Sequence, residues 1–573
     1  MILAMTLVLF ACKRADVKAA TDNGVSVNVP SKMDIIFNED GTTSVKDMYL
    51  ENDSLVPVEL QNINIKEFND WEIVPKSQEI LVNSKQVSLQ MGDKELIAGT
   101  NVINREVAEG EKYELDVTVN RGAWTETVSP EKAMELELEY QIGIKQFALT
   151  LDANGGLPTR VLKVYNGADT NLPEPRKEGY QFEGWQDENG TIYKDEYVMP
   201  IGDITLKAVW KKLNAYAIFC ASDGSLTFVK TVDEIKAGQT YNGKAVTTVY
   251  TGFEEKAYTD CSQVPWYADG TNLNIKSVVV KDVIKPISTA YWFYECKYCM
   301  SFDMANLNTS KVTDMQCMYY MAGHQGGTGS FIITGMDTWD TSQVTNMFSM
   351  FEYSAIKATT YNIGNVGKWN VSKVKNMCRT FGSAGMRATN LYIGDLSNWN
   401  TSSVETMVYM FASFGWKSPS VNIGNIGNWN VSKVTNMNGM FDGAGYWAKT
   451  FYIGDLSGWD VSNVTDFGSM FAGAGNEATT FNIGNIGKWN VSKATEMTAM
   501  FYGAGTYSSS FYIGDLSNWN TANVTSMNNM FYNAGKNASW SLNCRNWNVK
   551  NVKYNLNFNT GVESKVTEPV WVN

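Results

Sequence analysis

The side chains whose types and spacing could support catalysis are carboxylates in a repeating segment. Asp395, Asp455 and Asp515 recur every 60 residues, which is every second unit of a 30-residue repeat. If each unit adds one strand to a parallel stack, successive carboxylates lie ~10 Å apart, because neighbouring strands are about 4.8 Å apart. Retaining glycosidases hold their carboxyl groups about 5–5.5 Å apart and inverting ones about 6.5–9.5 Å. The column misses the first range and only approaches the second, so it indicates binding more than hydrolysis.

Other reactive side chains are scarce. His324 is the only histidine and lies in a polar stretch typical of a solvated loop, which removes most Ser-His-Asp, Cys-His and multi-histidine zinc schemes. Cys296 and Cys299 form a CxxC with no second CxxC to complete a four-thiolate site. Unpaired buried cysteines, or one or two disulfides within 220–317, are both open. No P-loop, HExxH or GxSxG context occurs. We therefore expect no catalytic residue, no metal and no cofactor.

Three tyrosines beside the carboxylates are better suited to binding. Tyr392, Tyr452 and Tyr512 each stand between apolar neighbours, such as Phe451 and Ile453, in a period-two pattern. Since alternate side chains of a strand face opposite sides, the apolar residues point inward and the tyrosines outward. Rings spaced by ~10 Å could stack on sugars or hold a peptide, and the carboxylates would favour neutral or cationic ligands. The alternative is that the 60-residue period is only the remnant of a duplicated pair of units.

The elements that position these side chains follow from the repeat. Tryptophan, phenylalanine and isoleucine each recur every 30 residues, which is typical of a stacked solenoid. These residues are Trp339, Trp369, Trp399, Trp429, Trp459, Trp489 and Trp519; Phe351, Phe381, Phe411, Phe441, Phe471, Phe501 and Phe531; and Ile333, Ile363, Ile393, Ile423, Ile453, Ile483 and Ile513. We expect about eight or nine coils, with the tryptophans stacked and buried.

The second half of each unit has a different period. Apolar residues at helical spacing predict a short helix, with Ser462 as its N-cap and Gly475 as its C-cap. The apolar set is Val464, Phe467, Met470, Phe471 and Ala474. Each unit is therefore predicted to be a short strand followed by a short helix.

Segments such as WDVSNVTDFGSMF and WNVSKVTNMNGMF resemble the repeats of BspA-like leucine-rich repeat surface proteins. The resemblance covers roughly residues 296–560. The sequence departs from that family in using 30 residues per unit. It also departs at Thr380, Phe467 and Ala494, which interrupt the two methionine columns and the valine column of the repeat. It implies a leucine-rich-repeat-like solenoid on a bacterial cell surface, with a role in adhesion or host interaction.

The chain before the repeats reads as β structure. Residues 21–146 alternate apolar and polar residues between turn signals, which predicts a β-sandwich with immunoglobulin-like architecture. Residues 147–212 carry FALTLDANGG, EGYQFEGW and GDITLKAVW and resemble the Listeria–Bacteroides repeat, which implies a small β-grasp-like module. Residues 213–300 lack the period and are predicted to be the N-terminal cap. Residues 301–573 are predicted to be the solenoid with its C-cap.

The N-terminus suggests export. Residues 2–11 form an apolar run of signal-peptide length, so residues 1–20 are predicted to be a signal peptide. Leu9 to Cys12 resembles a lipobox, which would attach a lipid at Cys12. Val17-Lys18-Ala19 is the competing site, for ordinary cleavage. We expect the protein at the bacterial cell surface or outside the cell, with a membrane contact only through Cys12.

Composition narrows the partners. The net charge of −13 and the absence of a basic run argue against nucleic acid. The leading expectation is a non-enzymatic surface adhesion protein that uses the solenoid to bind a protein or glycan on a host or neighbouring cell. The alternatives are a polysaccharide-acting hydrolase, with catalytic carboxylates in the N-terminal half, and a purely structural stalk.

Overall fold

The computed structural model describes residues 6–9, 17–20, 26–38, 42–66, 71–123 and 132–572. The chain divides into two compact units, Met1–Lys212 and Leu213–Asn573. Each unit is built almost entirely from strands and turns.

The first part of unit 1 contains three sheets. The six-stranded sheet comprises Thr6–Leu9, Lys32–Phe37, Thr43–Val45, Val58–Lys66, Gly99–Val107 and Lys132–Ile144. One four-stranded sheet comprises Glu72–Ile73, Gln86–Met91, Lys94–Leu96 and Val117–Arg121. The other comprises Val17–Ala20, Ser26–Val29, Tyr49–Asn52 and Lys112–Glu114.

The alternating sequence pattern explains why these strands pack. Strand Lys32–Phe37 buries every second residue, and Val27, Leu60 and Leu89 bring all three sheets to one core. The prediction of an immunoglobulin-like β-sandwich needs correction, because three sheets enclose this core. Periodicity fixes which residues point inward but does not fix how many sheets the strands form.

Residues 146–212 form a separate core beside these sheets. A five-stranded sheet comprises Gln146–Asp152, Arg160–Tyr165, Tyr180–Gln186, Ile192–Tyr193 and Ile204–Lys212. A two-stranded sheet comprises Asp169–Asn171 and Glu196–Val198. The fully described residues 146–212 include no helix, so the β-grasp-like expectation needs correction to an all-β module.

Unit 2 begins with an eight-stranded sheet that runs into the repeats. Its strands are Asn214–Cys220, Ser225–Thr231, Thr248–Thr251, Ser277–Val280, Ser301–Asp303, Ser330–Thr334, Thr360–Asn362 and Asn390–Tyr392. Two-stranded sheets follow as Ser420–Asn422 with Thr450–Tyr452, Thr480–Asn482 with Ser510–Tyr512, and Leu542–Asn543 with Val566–Thr567. A small hairpin joins Thr240–Tyr241 to Lys244–Ala245.

Helical structure is limited to single turns. In the described chain the one α-helix is Pro265–Ala268. The 3₁₀ turns are Cys261–Gln263, Thr271–Asn274, Met336–Thr338, Val366–Lys368, Ile426–Asn428, Leu456–Gly458 and Ile486–Lys488. The leucine-rich-repeat-like solenoid with a helix in every unit was therefore a wrong prediction.

A ladder of turns replaces the predicted helix. Phe441 N–H donates to the carbonyl of Met470 in the next coil over 2.9 Å, whereas Ala444 N–H donates to Phe441 within its own coil over 3.0 Å. Gly439 N–H and Asp442 N–H repeat this alternation, to Gly468 and Gly439. A helix would send every N–H four residues back within its own coil. Coil-to-coil bonds satisfy half of these donors, so the segment is a stack of turns.

Backbone conformation excludes a helix in the same segment. Ser469, Gly473 and Gly475 have φ between 49° and 64°, and their counterparts in other coils share the left-handed region. Ser462, predicted to cap a helix, instead donates its N–H to Asp460 in a tight turn. Consecutive turns place a side chain inward every three or four residues, as a helix does, which is why the spacing misled.

The core of the solenoid confirms the stacking prediction. Trp399 and Trp429 stack with ring centroids 5.8 Å apart, and Phe441 lies 5.6 Å from Phe471 with nearly parallel rings. The tryptophan column is buried throughout. A second ladder of single bridges runs from Asp314 to Tyr554 and takes one residue from each of nine coils, which agrees with the expected number.

Candidate functional site

The three predicted tyrosines lie on the outer face of the strand column. Tyr392, Tyr452 and Tyr512 are 50%, 45% and 49% exposed, and each is the last residue of its strand. Phe451 and Ile453, on either side of Tyr452, are buried. The period-two assignment of these side chains is confirmed.

The 60-residue period has a structural consequence. Asn482 pairs with Tyr512 in a parallel ladder, and Ile483 N–H donates to the Tyr512 carbonyl over 3.3 Å. No equivalent bond joins Ile453 to Asn482 among the described residues, and the sheet divides at that point. It divides in the same way between Tyr392 and the following strand. The eight-stranded sheet therefore ends at Tyr392, and two-stranded pairs that end at Tyr452 and Tyr512 follow it.

An open groove lies at each of these divisions. The larger has a volume of about 650 Å³, with Tyr452 and Tyr512 at the two sides and Asn482 between them. Asp455, Lys449 and Lys488 complete its polar lining. The smaller, about 400 Å³, is lined by Leu391, Tyr392, Asp395, Phe414 and Asn422. The structure thus brings Tyr452 and Asp455 into one groove with Tyr512, which lies two coils further along the chain, although Asp515 lines neither groove.

The predicted carboxylates have a local structural role as well as an exposed position. The Asp455 carboxylate accepts the Ser457 N–H over 2.9 Å and caps the turn Leu456–Gly458. This backbone bond and the Ser457 hydroxyl lower the pKa of Asp455. The Ser397 hydroxyl and N–H lower the pKa of Asp395 in the same way. Both carboxylates are therefore charged at neutral pH.

A glycine of the next coil covers each of these carboxylates. Gly484 has φ of 83°, and a Cβ built on it would lie 1.7 Å from Asp455 Oδ1. Gly424 has the same relation to Asp395. The glycine column therefore admits no side chain, which keeps the groove floor flat beside the tyrosines.

Lys449 and Lys488 were missed by the sequence reasoning. Lys449 occupies a column that holds Thr359, Thr389 and Thr479 in other coils, and its Nζ lies 3.0 Å from the Glu477 carboxylate. A cation that interrupts a threonine column is a signal that the sequence carries. It supplies a charged donor at the groove edge.

The remaining reactive groups lie elsewhere. Cys296 and Cys299 are free and buried, and burial raises the pKa of both thiols. The seven described cysteines are all free, so the disulfide alternative is not what the structure contains. His324 Nδ1 lies 3.3 Å from a backbone carbonyl near the protein surface. Cys12, the possible lipid site, lies outside the described residues.

Two carboxylates come together in the N-terminal half, as the hydrolase alternative requires. Glu59 and Glu106 are register partners on antiparallel strands and line an open groove of about 470 Å³. Lys145 lines the same groove and forms an ion pair with Glu106.

Comparison with known families supports the surface-protein assignment in part. Residues 147–209 match the model of the Listeria-Bacteroides repeat domain, which confirms that resemblance. Residues 287–415, 325–446, 355–476, 413–513 and 446–565 match a model described as a Mycoplasma protein of unknown function, DUF285. These matches span just under half of the chain. The resemblance to BspA-like leucine-rich repeats is not confirmed.

Both matching families are repeat domains typical of bacterial surface proteins. Listeria-Bacteroides repeat domains occur in surface and extracellular proteins. No curated protein and no solved structure gives a significant match. Within the described ranges, no helix has the length and apolar character to cross a bilayer.

Proposed function

We propose that the protein is a non-enzymatic bacterial surface adhesion protein that holds a neutral polysaccharide along its strand face. The observation that carries this proposal is the repetition of one groove at a fixed interval of two coils. Each groove combines an exposed tyrosine with amide and carboxylate groups. A polymer with a regular repeat can occupy such grooves in register, and every contact is then made more than once.

The side chains suit sugar rings. Tyr452 and Tyr512 are two coils apart, ~10 Å along the stack, and each exposes about half of its surface. Aromatic rings supply apolar area together with a polar tip. Asn482, between them, carries a donor and an acceptor for hydroxyl groups. The charged Asp455 shares the groove lining with Lys449 and Lys488, and this mixture of charges suits a neutral ligand better than a strongly charged one.

The division of the sheet supports the proposal because it places an open groove beside both Tyr392 and Tyr452. Simple inheritance of a duplicated pair of units would repeat the same division, because identical sequences make identical contacts. Binding measurements on tyrosine variants separate a ligand face from inheritance alone.

The test compares two triple variants of the full chain. We expect Tyr392→Ala, Tyr452→Ala and Tyr512→Ala together to weaken binding to a neutral polysaccharide, selected by screening, at least tenfold. Stacking on one aromatic ring contributes about 1–3 kcal/mol in proteins that bind single-stranded nucleic acids. The loss of three rings therefore exceeds the ~1.4 kcal/mol that corresponds to a tenfold change in affinity. The matched control replaces Tyr298, Tyr502 and Tyr554, which are similarly exposed but lie off the strand face.

Three outcomes would contradict the proposal. Equal loss in the control variant would assign the effect to general surface change. Unchanged binding in the strand-face variant would place the site elsewhere and favour a stalk role for the solenoid. Release of reducing sugar that disappears in a Glu59→Gln, Glu106→Gln variant would favour the hydrolase.

We infer export from the apolar N-terminal run and from the surface-protein families. Cleavage before Cys12 would remove the strand Thr6–Leu9 from its sheet, and cleavage after Ala19 would also remove most of the strand Val17–Ala20. The lipid-anchored form makes a specific prediction. In the native bacterium, Cys12→Ala should move the protein from the membrane fraction to the medium. Wild-type protein found already in the medium would instead favour ordinary cleavage after Ala19.

A further inference from the structure

A second surface lies along the turn edge of the solenoid, away from the strand-face grooves. We call it the turn-edge column, with one residue from each of six consecutive coils. Its members are Lys357, Arg387, Lys417, Trp447, Glu477 and Tyr507. Backbone bonds between coils fix its register, such as Trp447 N–H to the Trp416 carbonyl over 2.9 Å and Glu477 N–H to the Tyr446 carbonyl over 3.0 Å.

The first three positions of the column are cations on consecutive coils. In the core of these same coils the buried rings Phe351, Phe381 and Phe411 are 5.5 and 5.4 Å apart, which shows how closely the three coils stack. Lys357, Arg387 and Lys417 are all exposed, and none forms an ion pair within the described residues.

Three unpaired like charges at this spacing repel one another. The chain has 60 acidic residues, yet no acidic side chain in the part of the chain that the structure describes forms an ion pair with these three cations. Folding alone therefore gives no reason for the arrangement. A ligand that brings one negative charge to each coil would remove the repulsion.

Aromatic rings continue the column where the cations end. Trp447 and Tyr507 are 48% and 56% exposed. Trp416 and Tyr446 pack against Trp447, with ring centroids 6.2 and 5.6 Å away, and Lys417 Nζ lies 5.7 Å from the Trp416 ring. The fold does not need these rings, because other coils carry Met386, Asn476 and Thr506 where Trp416 and Tyr446 stand.

We propose that the turn-edge column binds an acidic polysaccharide. Lys357, Arg387 and Lys417 pair with sulfate or carboxylate groups on successive sugars, and Trp447 stacks on a sugar ring beyond them. Arginine and lysine both pair with such oxyanions, and arginine does so through two parallel donors. Nucleic acid shares the chemistry of charge and stacking, but Glu477 within the column and the net charge of −13 oppose a phosphate backbone.

This site does not depend on the strand-face grooves. The two faces would take ligands of different charge. The grooves carry Asp395 and Asp455, with Lys449 and Lys488 in the larger one, whereas the first three positions of the turn-edge column are all cations. The two proposals can therefore fail separately.

The experiment measures binding of the full chain to heparin, to polygalacturonate and to single-stranded DNA at near-physiological salt. Heparin presents sulfates and polygalacturonate presents carboxylates, so the two arms separate the possible sources of the anion. We expect Lys357→Ser, Arg387→Ser and Lys417→Ser together to weaken binding to the preferred acidic polysaccharide at least tenfold, with a smaller dependence on salt. Trp447→Ala should weaken it severalfold without changing the salt dependence.

The matched control is Lys373→Ser, Lys433→Ser and Lys493→Ser. These exposed lysines occupy a different column, at every second coil, and their removal changes the net charge by the same amount. We expect less than a twofold effect from the control, and none from the strand-face tyrosine variant. An equal loss in the control would overturn the proposal, as would tighter binding to DNA than to either polysaccharide. Failure of the wild-type protein to bind both polysaccharides would also overturn it.

Discussion

The indole Nε1 of Trp459 donates a hydrogen bond over 3.0 Å to the carbonyl oxygen of Ile426, which lies 33 residues earlier in the preceding coil. The same carbonyl accepts the Trp429 N–H of its own coil. Trp489 repeats the relationship with Leu456 over 2.9 Å. Each tryptophan thus fills the core and ties its coil to the preceding one, which explains why phenylalanine does not replace it.

Removing this donor should weaken the solenoid without unfolding it. Trp459→Phe keeps an aromatic ring in the stack but leaves the Ile426 carbonyl with one partner instead of two. The loss of the bond and of buried volume should together cost about 1–3 kcal/mol. Trp447→Phe, at an exposed position, should stay within about 0.5 kcal/mol. Urea unfolding of the solenoid measures both, and equal costs would argue against the bond.

The glycine over Asp455 should tolerate no side chain. Gly484→Ala places a methyl group 1.7 Å from Asp455 Oδ1 at φ of 83°. The left-handed backbone alone costs about 1–2 kcal/mol, and the overlap adds to it. Gly458→Ala is the matched control, because its nearest atom would be 3.9 Å away and its φ is not left-handed. If Gly484→Ala and Gly458→Ala have the same melting temperature, Gly484 does not pack closely against the Asp455 carboxylate.

Asp442 should make the solenoid less stable as the pH rises. Burial raises the pKa of Asp442 from its usual value of 3.8 to about 6. The folded state therefore binds the proton more tightly than the unfolded state. The stabilisation is fully present below about pH 4 and is lost as the pH rises through 6, amounting to at most ~2 kcal/mol after allowance for partial exposure.

The variant Asp442→Asn separates the contribution of Asp442 to the pH dependence of stability from the contributions of other titrating groups. Its stability should match that of the wild type near pH 4 and exceed it at pH 7. Asp455→Asn should show the opposite sign, because the pKa of Asp455 is lowered and its stabilisation is lost only as the pH falls below 3.8. Parallel pH profiles for the wild type and Asp442→Asn would contradict the burial of this carboxyl group.

Sequence periodicity predicted the positions of the strands and the inward-facing residues. The alternation of Phe451, Tyr452 and Ile453 correctly placed two side chains inside and one outside, since a strand has only two faces. The fixed 30-residue period predicted the stacked tryptophans because identical coils repeat identical contacts. The outward tyrosines could be identified for the same reason.

The turn ladder and the grooves could not be read from the same pattern. Met470, Phe471 and Ala474 would face inward on a helix or on consecutive turns, because both return a side chain to one face every three or four residues. Recurrent glycine at the positions of Gly473 and Gly475 is the sequence signal that distinguishes consecutive turns from a helix, because glycine is unfavourable inside a helix. The position of each groove depends on where the sheet divides. The sheet divides where hydrogen bonds between neighbouring coils are missing, and the pattern of one 30-residue unit does not show these bonds.

One substitution should change the stability in opposite directions in a turn ladder and in a helix, and it therefore distinguishes the two conformations. Ala499 has φ of 54° in a column that holds Gly439 and Asn529 in other coils. In the turn ladder, Ala499→Gly relieves left-handed strain of about 1–2 kcal/mol, which equals or exceeds the ~0.5–1 kcal/mol that glycine loses through backbone entropy. The variant should therefore be as stable as the wild type or slightly more stable. In a helix the same change would cost about 1 kcal/mol.

The control Ala504→Gly, buried and without positive φ, should be destabilising in either case. A clear loss of stability for Ala499→Gly in chemical denaturation would favour the helix.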